Sequence, residues 1–333
     1  MKKYNVAVVG ATGLVGTMML KVLAERHFPV NNLYPMASYR SAGKKVEFDG
    51  KEYTVEELKP ESFDKDIDIA LFSAGGGTSK TFAPEAAKRG VIVIDNSSAW
   101  RMDPDVPLVV PEVNPEDLQN HHNIIANPNC STIQAMLPLK AIKDAYGIKR
   151  VVYSTYQAVS GAGVQAVADL KDGINGEAPK KFPYPIAYNV LPHIDDFLEN
   201  GYTKEEMKMI NESHKILHDD TIAITATTAR VPVFFGHSES INVELKKPFG
   251  DVEELKACMG AMKNCIVVDD PDKLAYPMPI DSEGHDEVYV GRIRRDFSLE
   301  NGFNFWCVAD NIRKGAASNA VQIAESLVEQ ALI

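Results

Sequence analysis

Residues 6–16 read VAVVGATGLVG, an apolar run that meets three evenly spaced glycines just ahead of a helix-forming stretch. No other feature of the chain restricts its fold as much. Gly10, Gly13 and Gly16 fall between a strand and a helix, where glycine lets the backbone close on a pyrophosphate and the helix start offers free N–H groups to hold it. The spacing G-x-x-G-x-x-G is a variant of the commoner dinucleotide fingerprint, and its place behind a first strand predicts a nucleotide-binding α/β domain. The opening MKKYNVAVVG meets Gly and Thr too early for an exported leader and reads as that first strand.

Further runs support the same domain. IDIALFSA (67–74), VIVIDNSS (91–98) and NIIANP (123–128) are short and apolar throughout, with helices predicted from Leu14 to about Arg26 and over 81–90. Such strands predict a parallel sheet covered on both faces. KVEFDGKEYTV (45–55) alternates around Asp49-Gly50, which predicts an inserted hairpin. After Gly147 the pattern changes. RVVYSTYQAV (150–159), IAITATTARVPVFF (222–235), ESINVELKK (239–247), EVYVGRIRRDF (287–297) and NFWCVAD (304–310) are longer and alternating. With helices over 203–217 and 251–261 they predict an α+β domain on a mostly antiparallel sheet. The proline-rich stretch 176–193 fits neither element and is expected to wrap the surface, while KGAASNAVQIAESLVEQAL is an amphipathic helix expected to return to the first domain. The expected division is a Rossmann-type, NADP-binding domain of 1–129 plus 312–333 and a catalytic and dimerisation domain of 130–311. A length of 333 residues suits two domains.

A net charge of -11 disfavours nucleic acid or an anionic membrane as partner. No run approaches the ~18 apolar residues of a membrane span. The four cysteines, Cys130, Cys258, Cys265 and Cys307, show no C-x-x-C spacing, so neither a disulfide framework nor a structural zinc site is expected, and the chain reads as reduced and cytoplasmic. His214 and His218 are spaced i, i+4, but no Glu follows the first, and a metal site is not expected. Around the second strand, YPMASYRSAGKK carries Ser38, Arg40 and Ser41 and no carboxylate to repel a ribose 2′-phosphate, which favours NADP over NAD.

The remaining question is Cys130, in NPNCST. It lies at the carboxyl end of a predicted parallel strand and opens a predicted helix, whose N-terminal partial charge favours the thiolate and whose backbone N–H groups are candidate oxyanion stabilisers. A nucleotide fold with a reactive thiol predicts aldehyde or acyl chemistry. ARVPVFFGHSES offers Arg230 and His237, seven residues apart and so on opposite faces of any unbroken strand, although Pro232 and Gly236 permit a bend.

Taken together, GATGLVG, SAWRMD, NPNCSTIQ, TYQAVSGAG, YTKEEMK, ARVPVFFGHSES and KGAA, in this order over nearly the whole chain, resemble the aspartate-semialdehyde dehydrogenases. The resemblance implies NADPH-dependent reductive dephosphorylation of 4-phospho-L-aspartate to L-aspartate 4-semialdehyde and phosphate by a homodimer, in lysine, methionine and threonine biosynthesis. It implies Cys130 as nucleophile, His237 as acid/base and Gln157 as orienting group. It further implies Arg230 on the substrate carboxylate, Glu205 on its ammonium, Arg101 and Lys208 on the phosphate, and Asn129 beside the thiol. Near the cofactor it implies Thr12, Leu14 and Val15 of the glycine turn, Ser73, Asn96, Ser160, Gly161, Gly163 and Asn311. N-acetyl-γ-glutamyl-phosphate reductase is the nearest alternative, less suited because NPNCST differs from its N-P-G-C turn and Glu205 with Lys208 suits a free amino acid. Glyceraldehyde-3-phosphate dehydrogenase fits less well, since its S-C-T-T-N context is missing. A non-catalytic NADP-sensing Rossmann protein is the alternative from another class.

Overall fold

The structure, a computed structural model, describes residues 2–333. The chain forms two compact units, one up to Pro128 together with Ala316–Ile333, the other Asn129–Gly315, so the returning segment starts at 316 rather than 312.

In the first unit the chain runs β1 (Tyr4–Val9), α1 (Leu14–Glu25), β2 (Val30–Ala37), β3 (Lys45–Phe48), β4 (Lys51–Thr54), β5 (Glu56–Glu57), β6 (Ile69–Phe72), α2 (Gly76–Ala87), β7 (Ile92–Asp95) and β8 (Ile124–Ala126). Six strands form a parallel sheet in the order β5-β2-β1-β6-β7-β8. Along β1, Val6 and Val8 enter one apolar core while Ala7 and Val9 enter another, so both faces are buried and the strand needs no polar alternation. The hairpin β3–β4 turns at Asp49 and Gly50, both with positive φ (48° and 72°), as a two-residue primed turn requires. Helix α2 begins five residues before the predicted start: burial of Ser79, Ala83 and Ala86 outweighs the poor propensity of the glycines in its first turn.

In the second unit follow α3 (Cys130–Tyr146), β9 (Ile148–Gln157), α4 (Val164–Gly173), α5 (Lys204–Leu217), β10 (Ala223–Arg230), β11 (His237–Leu245), α6 (Val252–Gly260), β12 (Cys265–Val267), α7 (Pro279–Ser282), β13 (Val288–Asp296) and β14 (Gly302–Ala309). The sheet order is β10-β9-β11-β14-β13-β12. Its three central pairings are antiparallel, but both outer ones, β9 with β10 and β12 with β13, are parallel. The sheet is therefore mixed, because the segment from β9 to β10 is a long crossover carrying α4 and α5 rather than a hairpin. Alternate residues of β11, His237, Glu239, Ile241 and Val243, are buried on one face, and α3 lies against β9, β11 and β14. The predicted strand over 222–235 stops at Arg230. The proline-rich stretch is pinned: the Asp169 carboxylate accepts the backbone N–H groups of Lys180, Lys181 and Phe182 at 3.0, 2.6 and 3.0 Å, and Ile186 and Leu191 join a small core with Val159 and Leu170.

The last helix, α8 (Ser318–Glu329), returns to the first unit. Its Ala320, Val321, Ile323, Ala324 and Leu327 share the core of α1 and β1, and Glu325 pairs with Arg26 at 2.7 Å. Among the described residues no helix is long and apolar enough to cross a membrane.

Candidate active site

Helix α3 starts where the sequence places an Asn-Cys pair. Asn129 is its N-cap: Oδ1 accepts the N–H of Ser131 at 3.0 Å and of Thr132 at 3.3 Å. Those two donors are therefore committed to the cap. Cys130 is the first helical residue and is partly exposed. A Cβ on Gly315 would sit 2.9 Å from Cys130 Cβ, so KGAA needs a glycine to let the chain pass the thiol.

Helix α5 supplies the acid. A capping box between Thr203 and Glu206 fixes its start, and Glu205, Lys208 and Glu212 then share one face. Glu205 Oε1 accepts Asn129 Nδ2 at 2.9 Å and Gln157 Nε2 at 3.1 Å, while Oε2 accepts Lys208 Nζ at 3.1 Å. Burial pushes this carboxyl up, but the Lys208 charge and the two amide donors outweigh it and hold Glu205 ionised, down to about 2. Glu212 accepts the Asn129 backbone N–H at 2.7 Å, and Asp195 accepts Lys208 Nζ at 2.7 Å.

The ends of three strands complete the cluster. Gln157 ends β9 and is registered against Arg230, the end of β10. On the other side β9 pairs Tyr156 with Ser238, one residue past His237, the start of β11. The seven-residue spacing is thus harmless: the strand ends at Arg230, the chain turns, and β9 lies between the two residues. Gly236 makes the turn at φ 85°, where a Cβ would also strike Pro279 O at 2.9 Å. One residue, Ala158, holds both side chains: its N–H donates to His237 Nδ1 at 3.0 Å and its carbonyl accepts Arg230 Nη1 at 2.7 Å. The SGAG loop passes so close that a Cβ on Gly161 would lie 3.0 Å from Arg230 Nη1 and 3.1 Å from His237 Nε2. Asn311 ties that loop to the turn, bonding Ser160 Oγ through Nδ2 at 3.0 Å and accepting the Gly236 N–H at 2.9 Å. Gly163, at φ 91°, caps α4.

Burial and the Arg230 charge push His237 down to about 3, only partly opposed by Glu205, so the ring is neutral. Burial also lowers Arg230, against the raising charges of Glu205 and Cys130. Among the described residues Arg230 Nε is buried with no partner, an orphaned donor that suits an incoming carboxylate. Cys307 and Cys265 are buried, and Cys258 Sγ rests on Ala141 O at 3.2 Å.

In the first unit the glycine turn lies where the strand order reverses, between β1 and β6. A Cβ on Gly10, at φ 86°, would lie 2.3 Å from Ser73 O, and one on Gly16 would lie 2.1 Å from Gly10 O. Gly13 starts α1 with no side-chain cap, leaving the first-turn positions Leu14, Val15 and Gly16 just beyond Thr12 as the helix N-terminus a phosphate prefers. Ser38 and Arg40 are exposed after β2, with Ser41 N bonded to Ser38 O at 2.8 Å. Arg101 is buried, its Nε on Asn127 O at 3.0 Å and its Nη2 on Asn96 O at 2.9 Å. The second unit thus gathers Cys130, Asn129, Gln157, Glu205, Lys208, Arg230 and His237, while Arg101 belongs to the first. Sequence reasoning missed Ala158, which acts through its backbone and leaves no signal, and Glu212, which the helical spacing from Glu205 through Lys208 could have revealed.

A nucleotide-binding domain joined to a thiol, a buried ionised carboxylate and a buried guanidinium defines a semialdehyde dehydrogenase. Accordingly, the semialdehyde dehydrogenase NAD binding domain matches residues 5–121, and the semialdehyde dehydrogenase dimerisation domain matches residues 139–314. The aspartate-semialdehyde dehydrogenases of Aquifex aeolicus and Bacillus subtilis are 60% and 52% identical to the chain, each over 99% of both sequences. The crystal structure of aspartate semialdehyde dehydrogenase II from Vibrio cholerae complexed with ASA aligns at a TM-score of 0.94 with 47% identity, over 99% of each chain. The chain belongs to the aspartate-semialdehyde dehydrogenase family.

Proposed function

We propose that the chain makes L-aspartate 4-semialdehyde from 4-phospho-L-aspartate, using NADPH and Cys130 as nucleophile. The observation that carries this reading is the cluster in which Asn129, next to Cys130, shares the ionised Glu205 with Gln157, beside Arg230 and His237. A substrate bearing an acyl phosphate, a carboxylate and an ammonium asks for these groups. The orphaned Nε of Arg230 takes the carboxylate, Glu205 takes the ammonium, and Lys208 and Arg101 are assigned to the phosphate. An N-acetylated substrate would bring no ammonium for Glu205 to accept, which disfavours the N-acetylglutamyl reading.

The glycine turn and the uncapped start of α1 fit a dinucleotide pyrophosphate, with Ser38, Arg40 and Ser41 on the side of NADP. Ser73, Asn96, Ser160, Gly161, Gly163 and Asn311 are assigned to the same cofactor. A related structure, the Candida albicans enzyme, is described with NADP (27% identity, TM-score 0.80). Bound reduced nicotinamide supplies a hydride. The Cys130 thiolate, favoured by its helix N-terminus and the Arg230 charge, attacks the carbonyl. The S–C bond forms as the C–O bond to phosphate breaks, and the phosphate takes a proton from water. After hydride addition to the thioester carbonyl, the alkoxide collapses and the S–C electron pair returns to Cys130. Gln157, held by Glu205 and Thr155, keeps the acyl group in register. The half-exposed outer sheet face, where Tyr156 meets Trp306 at 5.3 Å, supports a homodimer, and four free thiols suit the cytoplasm.

The test is the reverse reaction, with L-aspartate 4-semialdehyde, phosphate and NADP, following NADPH absorbance. Wild type is expected to form NADPH only with phosphate, and Cys130→Ala to lose turnover while still binding NADPH. Activity on N-acetylglutamate semialdehyde alone would move the substrate, and turnover by Cys130→Ala would remove the nucleophile.

A further inference from the structure

Asn129 immediately precedes Cys130, and every polar atom it has is bonded. Its Oδ1 takes the N–H groups of Ser131 and Thr132, its carbonyl accepts the Ile133 N–H at 2.9 Å, and its Nδ2 donates to Glu205. Its own backbone N–H lies outside the ladder of the helix it caps. In a capping box the side chain of the third helical residue reaches back to that group. The third residue of α3 is Thr132, whose hydroxyl meets Met209 Sδ at 3.6 Å instead. The acceptor comes from another helix: Glu212 Oε2 of α5 takes the Asn129 N–H at 2.7 Å.

Resting on the reaction proposed above, we infer that Glu212 is a positioning residue for the Cys130 nucleophile. From α5 it supplies the half of a capping box that the sequence of α3 lacks, and it acts through the reach of its oxygen rather than its charge. Glutamine serves in a capping box as well as glutamate does, because the task is to accept one N–H. Glu205 and Glu212, seven residues and so about two turns apart, grip the side chain and the backbone of the same residue. Glu212 and Asn129 are both buried, so water does not replace a lost bond. The helix that carries Glu212 is itself held, since Ser213 Oγ bonds Tyr153 Oη of β9 at 2.9 Å and Met209 O at 2.6 Å. Cys130 has little room to absorb an error at its neighbour: a Cβ on Gly315 would lie 2.9 Å from its Cβ and 3.3 Å from its Cα. A displaced Asn129 therefore displaces the thiol, and a misplacement of about 1 Å can cost ~10²-fold in rate. Glu212 bonds Asn129 rather than a reacting group, so its loss should fall on kcat and spare KM.

Two conservative variants of the full-length protein separate reach from charge. Glu212→Asp keeps the carboxyl but is one methylene short, whereas Glu212→Gln keeps the length and an acceptor oxygen. In the reverse assay Glu212→Asp is expected to lose ~10²-fold in kcat, with KM for semialdehyde, phosphate and NADP within about threefold of wild type. Glu212→Gln is expected to recover most of that loss, to within about tenfold. A Gln variant as slow as the Asp variant, an Asp variant at the wild-type rate, or a loss carried by KM would overturn the inference. Amide hydrogen exchange, read by mass spectrometry over the peptide that holds Asn129 and Cys130, gives an independent readout. Exchange there should be faster in Glu212→Asp than in wild type or Glu212→Gln, and equal exchange in all three would overturn the inference as well. Retained NADPH binding shows that the variants are folded. Because exchange needs no turnover, a wrong substrate shows as silence of the wild type in the NADPH assay with the exchange contrast intact, and a wrong role for Glu212 as loss of that contrast.

Discussion

Two buried glutamates in the second unit have opposite fates. Glu205, at the start of α5, accepts Asn129, Gln157 and Lys208 and stays ionised. Glu239, on β11 two residues past His237, is completely buried, neither of its oxygens has a partner among the described residues, and burial pushes its carboxyl well above the ordinary range. Burial alone therefore does not set protonation. What decides it is whether the fold delivers donors and a cation to the same place. Glu205 is a charge the fold keeps ionised, and Glu239 is a neutral acid that costs stability.

The largest effect should come from Glu205→Leu. It leaves Asn129 Nδ2 and Gln157 Nε2 without their shared acceptor and Lys208 with Asp195 alone, and should destabilise by on the order of 3 kcal/mol at pH 7 in urea titrations. Because the folded carboxyl lies near 2 against an ordinary 4.5, its contribution is present above pH 4.5 and is lost as pH falls toward 2. The gap between wild type and variant should narrow between pH 5 and pH 3. A gap that stays constant would mean that Glu205 acts by packing, which would break the contrast.

Glu239→Leu should go the other way. Filling the space with an apolar side chain removes an unpartnered polar group and should stabilise by roughly 1–3 kcal/mol at pH 8. The raised folded value makes wild-type stability complete below 4.5 and progressively lost as pH rises, so the gain should be larger at pH 8 than at pH 5. Equal gains at both would show that Glu239 finds a partner or stays ionised.

Neither fate could be read from the sequence, which shows the same letter in both places. The legible features were local. Cys130 at the start of an apolar helix could be read from local pattern, and the glycines of GATGLVG are dictated by backbone geometry at one turn. The site's other half depends on strand pairing that the motifs do not encode: Gln157, Arg230 and His237 meet because β9 is inserted between β10 and β11, and β9–β10 is parallel. The run VPVFF after Arg230 is apolar enough to extend a strand, which hid the turn that brings His237 round. Ala158 contributes only its peptide groups, about which side-chain identity is silent.

The smallest effect concerns the cation between these acids. Lys208 bonds Asp195 at 2.7 Å and Glu205 at 3.1 Å, but the Asp195 side chain is 33% exposed against 7% for Glu205. Burial would raise Asp195, and the Lys208 bond and charge outweigh it, but water screens a pair at this exposure. A double-mutant cycle of Asp195→Asn and Lys208→Met, read by urea unfolding, should give a coupling of about 0.5–1 kcal/mol. A coupling of several kcal/mol would place Asp195 with Glu205 as a buried charge the site depends on. No coupling would leave Glu205 as the only carboxylate that holds Lys208, and would sharpen the division between an acid with delivered partners and one without.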